Sequence, residues 1–489
     1  MAVLKADVVV IGAGAVGTAV VRELSGFDLS VVAVDRLNDI GGDASKANSA
    51  IIHTGFDAPP GTLESRLVVQ ANPLYDALSA ELDIPFRRVG AVLVAVTEEE
   101  EAELPKIMGK ARQNGVFDLK LLTAPEVLEM EPAVNPDVRA GIHVPRESII
   151  DPFLLVVAQA ENAAKNGATF ITGCEVIGLR SADKSLRVAT TRGEIETRFV
   201  VNAAGLNADR ISGYLGIDDF RMHPRRGQFH VLDRTAPVQV QHIILPVPTK
   251  ITKGKLVTPT PHGNWLIGPT AEDIDDRMCH STTREGMEEI ARGVHKLIPS
   301  LDIGSTITQY DGLRPVRTPG GYHIRSFESL AGYLELSGIR STGVTSSVAV
   351  ARYCCSKLLE MGLPAGEKQG FDGTRRGIPC FRDADADTRA DLVRKDPLYA
   401  HVVCRCETVT EAEIVQAIRR EPGARDVDGV KRRVRAGLGR CQGGFCGARV
   451  PQILARELGI PLEEVTKKGS GSRILTGRKK VLDEECGAW

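Results

Sequence analysis

An α/β protein of more than one domain is predicted from three observations. These are a glycine-rich strand–turn–helix at the N-terminus, a length beyond one simple core, and four cysteines clustered far from that start. The stretch ADVVVIGAGAVGTAVVREL reads as a buried strand, a turn holding Gly12, Gly14 and Gly17, and a helix. Apolar Val16, Ala19, Val20 and Leu24 recur along that helix at helical spacing. Gly12 permits the tight turn, Gly14 lets the main chain approach a pyrophosphate, and Gly17 lets the helix pack close to the strand. The helix start offers unpaired N–H groups to phosphate. LSVVAVDR is a second strand ending at Asp35, where a carboxylate can accept from a ribose hydroxyl. Strand, fingerprint, helix, strand and acid in this order predict a bound dinucleotide.

A chain of 489 residues is expected to divide into two or three domains. Its net charge of −2 gives no global field that points to nucleic acid or an anionic membrane. The N-terminus shows no apolar secretory segment, and no run of about 18 apolar residues predicts a membrane-spanning helix. The expected location is the cytoplasm, with peripheral association at the inner face of the membrane left open. Ten cysteines in such a chain are expected to be free, buried or metal-bound. Six are scattered (Cys174, Cys279, Cys354, Cys355, Cys380 and Cys486), and a small buried hydrophobe suits most of them.

A single fingerprint implies a single dinucleotide. After Asp35 the chain runs into GGDASKANSAIIHTGFDAPPGTLESRL, a polar loop unlike the next strand–helix unit of a nicotinamide domain. Within it, SKANSAIIHTGFDAPPGTL resembles the flavin-contacting segment of the D-amino-acid-oxidase superfamily. The similar branch is the one that contains glycerol-3-phosphate and L-2-hydroxyglutarate dehydrogenases. RFVVNAAGLNADRIS, PRRGQFHVLD, KLVTPTPHGNWLIGPTAED, DGLRPVR and GIRSTGVTSSVAVA match in the same order, so the resemblance covers residues 5–360. It implies FAD as the dinucleotide and a Rossmann-like FAD-binding domain (about 1–75, 146–222 and 316–365). This domain is interleaved with an α+β substrate domain (about 76–145 and 223–315). The implied FAD contacts are Gly12, Gly14, Ala15, Val16, Gly17, Asp35, Arg36, Ser45, Asn48, Ser49, Val176, Ala204, Gly205, Gly343, Val344 and Thr345. FVVNAAG reads as a buried strand ending in small residues that admit close approach. Gly343 precedes a helix start for which Thr345 and Ser346 are available as caps.

Oxidising a C–H bond beside a hydroxyl or amine needs a base for the leaving proton and a cation for an anionic substrate. His53 is the candidate base, its alternative being a histidine that only holds flavin or backbone. Arg314 in DGLRPVR is the candidate substrate cation, its alternative a structural ion pair. Arg226, Lys253, Lys255 and His262 are weaker candidates without assigned roles. The expected reaction is oxidation of a small anionic hydroxy compound, glycerol-3-phosphate first. L-2-hydroxyglutarate, an amine or imino acid, and an electron-transfer subunit without its own substrate are the rivals.

Residues 366–399 are polar and charged and read as a linker. Cys404-Arg-Cys406 follows, then a helix from Thr410 with Glu413 completing a capping box. A second helix is expected from about Asp428 to Gly437, and a third around VPQILAREL with Pro451 near its start. Cys441 and Cys446 lie between these two helices. The spacing is C-x-C, 34 residues, C-x4-C, which departs from the usual structural zinc pairs. CRCETVTEAEI with DVDGVKRRVRAGLGRCQGGFC resembles the bacterioferritin-associated-ferredoxin-like domain, at about residues 400–465. This implies a 2Fe-2S cluster on Cys404, Cys406, Cys441 and Cys446, with zinc or free thiols as the alternatives. A cluster beside a flavin suggests an exit for electrons to a partner protein or a quinone-linked subunit, the other reading being a structural cluster. Lys431, Arg432, Arg433, Arg435 and Arg440 would offset its charge, dock an acidic partner, or form an exposed helix face. Residues 466–489 read as a tail.

Overall fold

The structure, a computed structural model, describes residues 3–183, 185–248, 254–364 and 366–477. The chain forms two compact units. One runs to Gly377, the short stretch Leu37–Asp39 excepted, and the other begins at Ile378.

In the first unit the valine-rich N-terminal strand Leu4–Ile11 lies at the centre of a parallel array. Val31–Val34 and then Thr169–Ile171 flank it on one side, and Gly193–Asn202 on the other. Gly193–Asn202 pairs antiparallel with Ser185–Thr190 through its first half and parallel with Leu330–Ser337 through its end. Strands buried on both faces need continuous apolar sequence, and Val8, Val9 and Val10 are fully buried. Helices Ala15–Leu24, Pro152–Lys165 and Gly343–Glu360 cover this sheet.

The second sheet is built mainly from antiparallel strands. The pair Arg221–Leu232 and Thr306–Thr318 forms its long ladder, and Trp265–Gly268, Leu256–Pro259, Ile243–Pro246, Ala91–Ala95, Ala140–Val144 and Lys120–Thr123 continue it. Its strands come from residues 91–144 and 221–318, between the segments that build the first sheet. The fold is therefore an α/β nucleotide-binding layer interleaved with an α+β layer. A small third sheet sets Ile51–Ile52 and Phe86–Arg88 on either side of Ser148–Ile150.

The second unit is a small helical body. Helices Glu411–Arg419, Val427–Val434 and Arg449–Leu458 pack around Ile414, Ile418, Val430, Ile453 and Leu454, with Val402–Cys404 paired to Val409–Thr410. The Thr410/Glu413 capping box forms as expected. The next helix is capped by Asp426 and ends at Val434, short of Gly437, because Arg435 adopts the left-handed conformation (φ 65°).

The stretch 366–399 carries definite structure. Up to residue 377 it belongs to the first unit, where Arg375 Nε donates to Glu161 Oε2 at 2.6 Å. From Ile378 it belongs to the second, with a helix at Ala386–Lys395 and Arg382 bound to Glu407 at 3.0 Å. Its polarity reflects paired charges, which composition alone does not distinguish from a solvated connector. Of the expected tail, Thr466 bridges to Arg473, and residues 478–489, Cys486 included, lie outside the described residues.

Candidate functional site

The glycine turn has the shape a pyrophosphate requires. Gly12 has φ 104°, and a Cβ there would lie 2.5 Å from Ala203 O; one on Gly17 would lie 1.8 Å from Gly12 O. Both positions exclude any side chain. Beside Gly14 the single heavy atom within 4 Å of an added Cβ is Ser45 Oγ, so that flank is otherwise open. Ser45 Oγ also accepts from Ala15 N at 2.8 Å, and Asp35 Oδ2 accepts from Ala13 N at 2.7 Å. Val16 and Gly17 follow in the first helical turn, whose N–H groups precede the helix's own ladder. Arg36 pairs with Asp43 at 3.1 Å. Asn48 closes the loop, its Nδ2 donating to Ser45 O and its Oδ1 accepting from Ala50 N; Ser49 stands between them. Val176 is buried at the start of its strand. Ala204 receives Asn202 Oδ1 on its N–H, and Gly205 takes φ 56° with open space beside it. An open cradle at a helix start, with a carboxylate at the next strand end, fits FAD.

His53 is fixed from three sides. Its N–H donates to Thr345 Oγ1 at 3.0 Å, its carbonyl accepts from Asn72 Nδ2 at 3.1 Å, and its ring Nδ1 lies 2.9 Å from Glu147 Oε2. Glu147 has no side-chain exposure, and its other oxygen accepts from Thr54 N (2.7 Å) and Thr54 Oγ1 (3.1 Å). A carboxylate can only accept, so Nδ1 carries a proton, and in the neutral ring Nε2 is the nitrogen with the lone pair. Nε2 has no partner among the described residues. Thr345 and Ser346 thus lie inside the helix Gly343–Glu360, which Thr342 precedes, rather than capping it. Thr345 Oγ1 instead ties Ile51 O and His53 N together. Val344 O accepts from Tyr75 OH.

Arg314 stands opposite Arg225 in the long ladder. Arg225 is held bidentate by Asp273 at 2.6 and 2.8 Å. Arg314 has no carboxylate partner among the described residues, and its two terminal nitrogens reach only Thr270 O at 3.4 Å. Its guanidinium lies over Gly227, where a Cβ would meet Nη2 at 2.4 Å. Burial pushes it down to about 10, and the charges of Arg225 and Arg340 add to that. Arg340 itself makes no hydrogen bond or ion pair through its side chain among the described residues, and its carbonyl accepts from Gly343 N at 2.7 Å, in the turn that leads to Thr345. A buried guanidinium without a carboxylate partner, depressed further by other arginine charge, is chemically suited to an anion. On the same strand as Arg314, Tyr310 OH donates to Asn48 O at 2.7 Å, and a Cβ on Gly312 would lie 2.0 Å from Ala47 O. The strand that carries Arg314 and the loop 44–48 are therefore in contact.

The weaker candidates are otherwise engaged. Arg226 holds Glu272 and Ser281, Lys255 pairs with Glu289, and His262 Nε2 meets Asp151 at 2.7 Å. Lys253 lies outside the described residues. Glu147 and Arg340 escape sequence reasoning. The first is one carboxylate in the short turn PRES, and the second sits in a motif read only for its glycine and hydroxyl residues.

The four C-terminal cysteines form two close pairs. Cys406 and Cys441 have their sulfurs 3.3 Å apart, and Cys404 and Cys446 are neighbours that perturb one another's thiols. Within each pair one thiol is favoured as thiolate: Cys446 lowers Cys404 to about 6, and Cys406 lowers Cys441. A two-iron cluster takes two thiolates on each iron, and two pairs fit it. The basic run is not a solvated helix face. Arg432 and Arg433 are buried, Arg433 donating to Pro422 O, and Arg435 binds Glu407; only Arg440 is exposed. Of the scattered cysteines, Cys174, Cys354 and Cys355 are buried, while Cys279 is half-buried and Cys380 exposed.

Fold and site together define a flavin-dependent oxidoreductase with a C-terminal iron–sulfur domain. Residues 7–356 match the family described as FAD dependent oxidoreductase (DAO), and the chain belongs to that family. Residues 402–456 match the BFD-like [2Fe-2S] binding domain. A glycerol 3-phosphate dehydrogenase of Caloramator mitchellensis is 41% identical over 97% of this chain and 99% of its own. An anaerobic glycerol-3-phosphate dehydrogenase subunit of Escherichia coli (strain K12) is 25% identical over 92% of this chain and 88% of its own. The dithionite-reduced L-alpha-glycerophosphate oxidase of Mycoplasma pneumoniae with FAD bound superposes with a TM-score of 0.73. It is 27% identical, over 77% of this chain and 99% of its own.

Proposed function

We propose that this enzyme oxidises glycerol-3-phosphate to dihydroxyacetone phosphate and delivers the electrons to a partner protein or a quinone-linked subunit. The observation that carries this reading is Arg314, a buried cation with no carboxylate partner among the described residues, on a strand whose Tyr310 touches the loop that leads to His53. A phosphate dianion satisfies such a guanidinium. The names of the relatives support the same substrate, and the designation of one of them as a subunit supports a partner.

Bound FAD supplies the two-electron acceptor for the substrate's C–H hydride, and the 2Fe-2S cluster a one-electron centre. Arg314 and Arg340 hold the phosphate and so fix the hydroxyl-bearing carbon. His53 Nε2 receives the hydroxyl proton, and Glu147 stabilises the resulting imidazolium while holding the ring in one orientation. Thr345 and Asn72 keep the main chain of His53 in place. The site of work in this reading is the cytoplasm, at the inner membrane face when partnered. No helix among the described residues is long and apolar enough to cross a membrane.

Anaerobic mixing of the iron-loaded enzyme with glycerol-3-phosphate, L-2-hydroxyglutarate and amino acids, each alone, tests the assignment. Rapid bleaching of the flavin by glycerol-3-phosphate alone is expected. Bleaching by L-2-hydroxyglutarate with glycerol-3-phosphate inert would overturn it.

A further inference from the structure

The surface next to the paired cysteines combines an apolar centre with a cationic rim. Phe445, between Cys441 and Cys446, is 71% exposed, and Val402, two residues before Cys404, is 43% exposed. Phe445 belongs to the cysteine loop, in which the preceding Gly444 N donates to Cys441 O at 2.9 Å. Both residues line a shallow cavity of about 590 Å³ together with His401, Arg405, Glu411 and Arg449. Glu411 is buried and presents no charge outward: Arg456 holds one of its oxygens at 2.6 Å, and His401 and Arg449 face the other at 3.5 and 3.7 Å. Arg405, between Cys404 and Cys406, is exposed and makes no ion pair among the described residues. The outward face around Phe445 and Val402 therefore carries Arg405 and Arg449.

We infer that this patch is the docking surface for an acidic one-electron carrier protein. An exposed aromatic ring within a charged rim is the composition of a protein interface. The sign of the rim selects and steers an acidic partner. Position selects a redox carrier, since whatever seats on Phe445, Val402 and Arg405 touches residues adjacent to three of the four thiols. The inference rests on the assignment of those cysteines to a 2Fe-2S cluster. Each CHOH oxidised to C=O releases two electrons and two protons. Two carriers are then each reduced by one electron per turnover, and the protons pass to solvent.

The test uses the full-length, iron-loaded enzyme and measures equilibrium binding to an acidic plant-type ferredoxin, with basic cytochrome c as control. The ferredoxin is expected to bind at low salt and to weaken at least tenfold in 0.3 M NaCl, about the response expected of a few screened ion pairs. Arg449→Glu and Phe445→Ala are each expected to weaken it about tenfold, with iron content and flavin bleaching by substrate unchanged. Phe445→Ala keeps every charge and the main-chain N–H, so it remains informative where a charge reversal disturbs folding. Absence of iron from the unaltered enzyme would mark failure of the cluster assignment on which the inference rests. Equal binding by both variants with iron intact would overturn the docking surface itself. Preferential binding of cytochrome c, self-association through this patch, or capture only by anionic phospholipid vesicles would overturn it as well.

Discussion

Glu147, wholly buried, holds Nδ1 of His53 at 2.9 Å while Thr54 occupies its other oxygen. A glutamine at this position would set an NH2 group against either the Thr54 N–H or the His53 Nδ1–H, so the ring must turn over or change tautomer. Glu147→Gln is expected to lower kcat at least roughly tenfold with little change in KM, and Glu147→Asp to recover part of the loss. His53→Asn is expected to cost about 10²–10⁴ in kcat, the range for losing a general base, with FAD retained. Steady-state kinetics with flavin absorbance checks both. An unchanged kcat in His53→Asn would leave the base unassigned.

Arg314 depends on the absence of a side chain at Gly227. Gly227→Ala places a methyl group 2.4 Å from Nη2 and displaces the guanidinium. Its KM for glycerol-3-phosphate is expected to rise in the same direction as that of Arg314→Ala. Removing one charged hydrogen-bond partner costs about 1.5–3 kcal/mol, roughly 10- to 150-fold in affinity. FAD content should not change in either variant. Inorganic phosphate as a competitive inhibitor offers an independent reading, since it should weaken in parallel.

Cys441→Ser is expected to abolish the visible absorbance and the iron of the C-terminal domain, because it breaks the Cys406–Cys441 pair. Cys380→Ser, outside both pairs, is the control and should retain two irons per chain, the content of a two-iron cluster. Iron analysis decides. If Cys441→Ser kept its iron, the ligand set would be wrong.

Asp209 is buried, which raises its carboxyl, but Arg277 at 2.6 and 2.8 Å with the amides of Met222 and Arg210 outweighs this and holds it below the ordinary value of 3.8. A depressed carboxyl contributes stability that is present above the unfolded value and is lost as pH falls through the folded one. Asp209→Asn is therefore expected to destabilise by roughly 1–3 kcal/mol near neutrality, since Arg277 loses its charged partner. It should also flatten the stability loss below about pH 4. Urea unfolding across pH measures both, and a parallel acid limb in the variant would refute the role.

The parts of this molecule that were legible in sequence are those whose meaning is local. Gly12, Gly14, Gly17 and Asp35 announce a nucleotide turn because each acts within one strand–turn–helix. Thr410 and Glu413 announce a capping box for the same reason. Glu147 and Arg340 carried no such signal, since their use depends on partners brought together only by the interleaving of the sheets. Thr345 was legible as a hydroxyl at a helix start, yet its bond goes to His53 and not to its own helix. For Arg432 and Arg433 an exposed helix face was one of three readings the sequence left open, because charge in sequence does not disclose burial.

The tie between His53 and Thr345 crosses 292 residues of chain. During synthesis at about 5–20 residues per second, His53 leaves the ribosome roughly 15–60 s before the residue that fixes it. For roughly 7–27 s of that interval one edge of Val200–Asn202, whose other edge pairs with the N-terminal strand, also waits for Leu330–Ser337. The nascent chain is thus exposed to premature association for tens of seconds. Slowed elongation or loss of holding chaperones should deplete soluble enzyme before any change in the finished protein is felt.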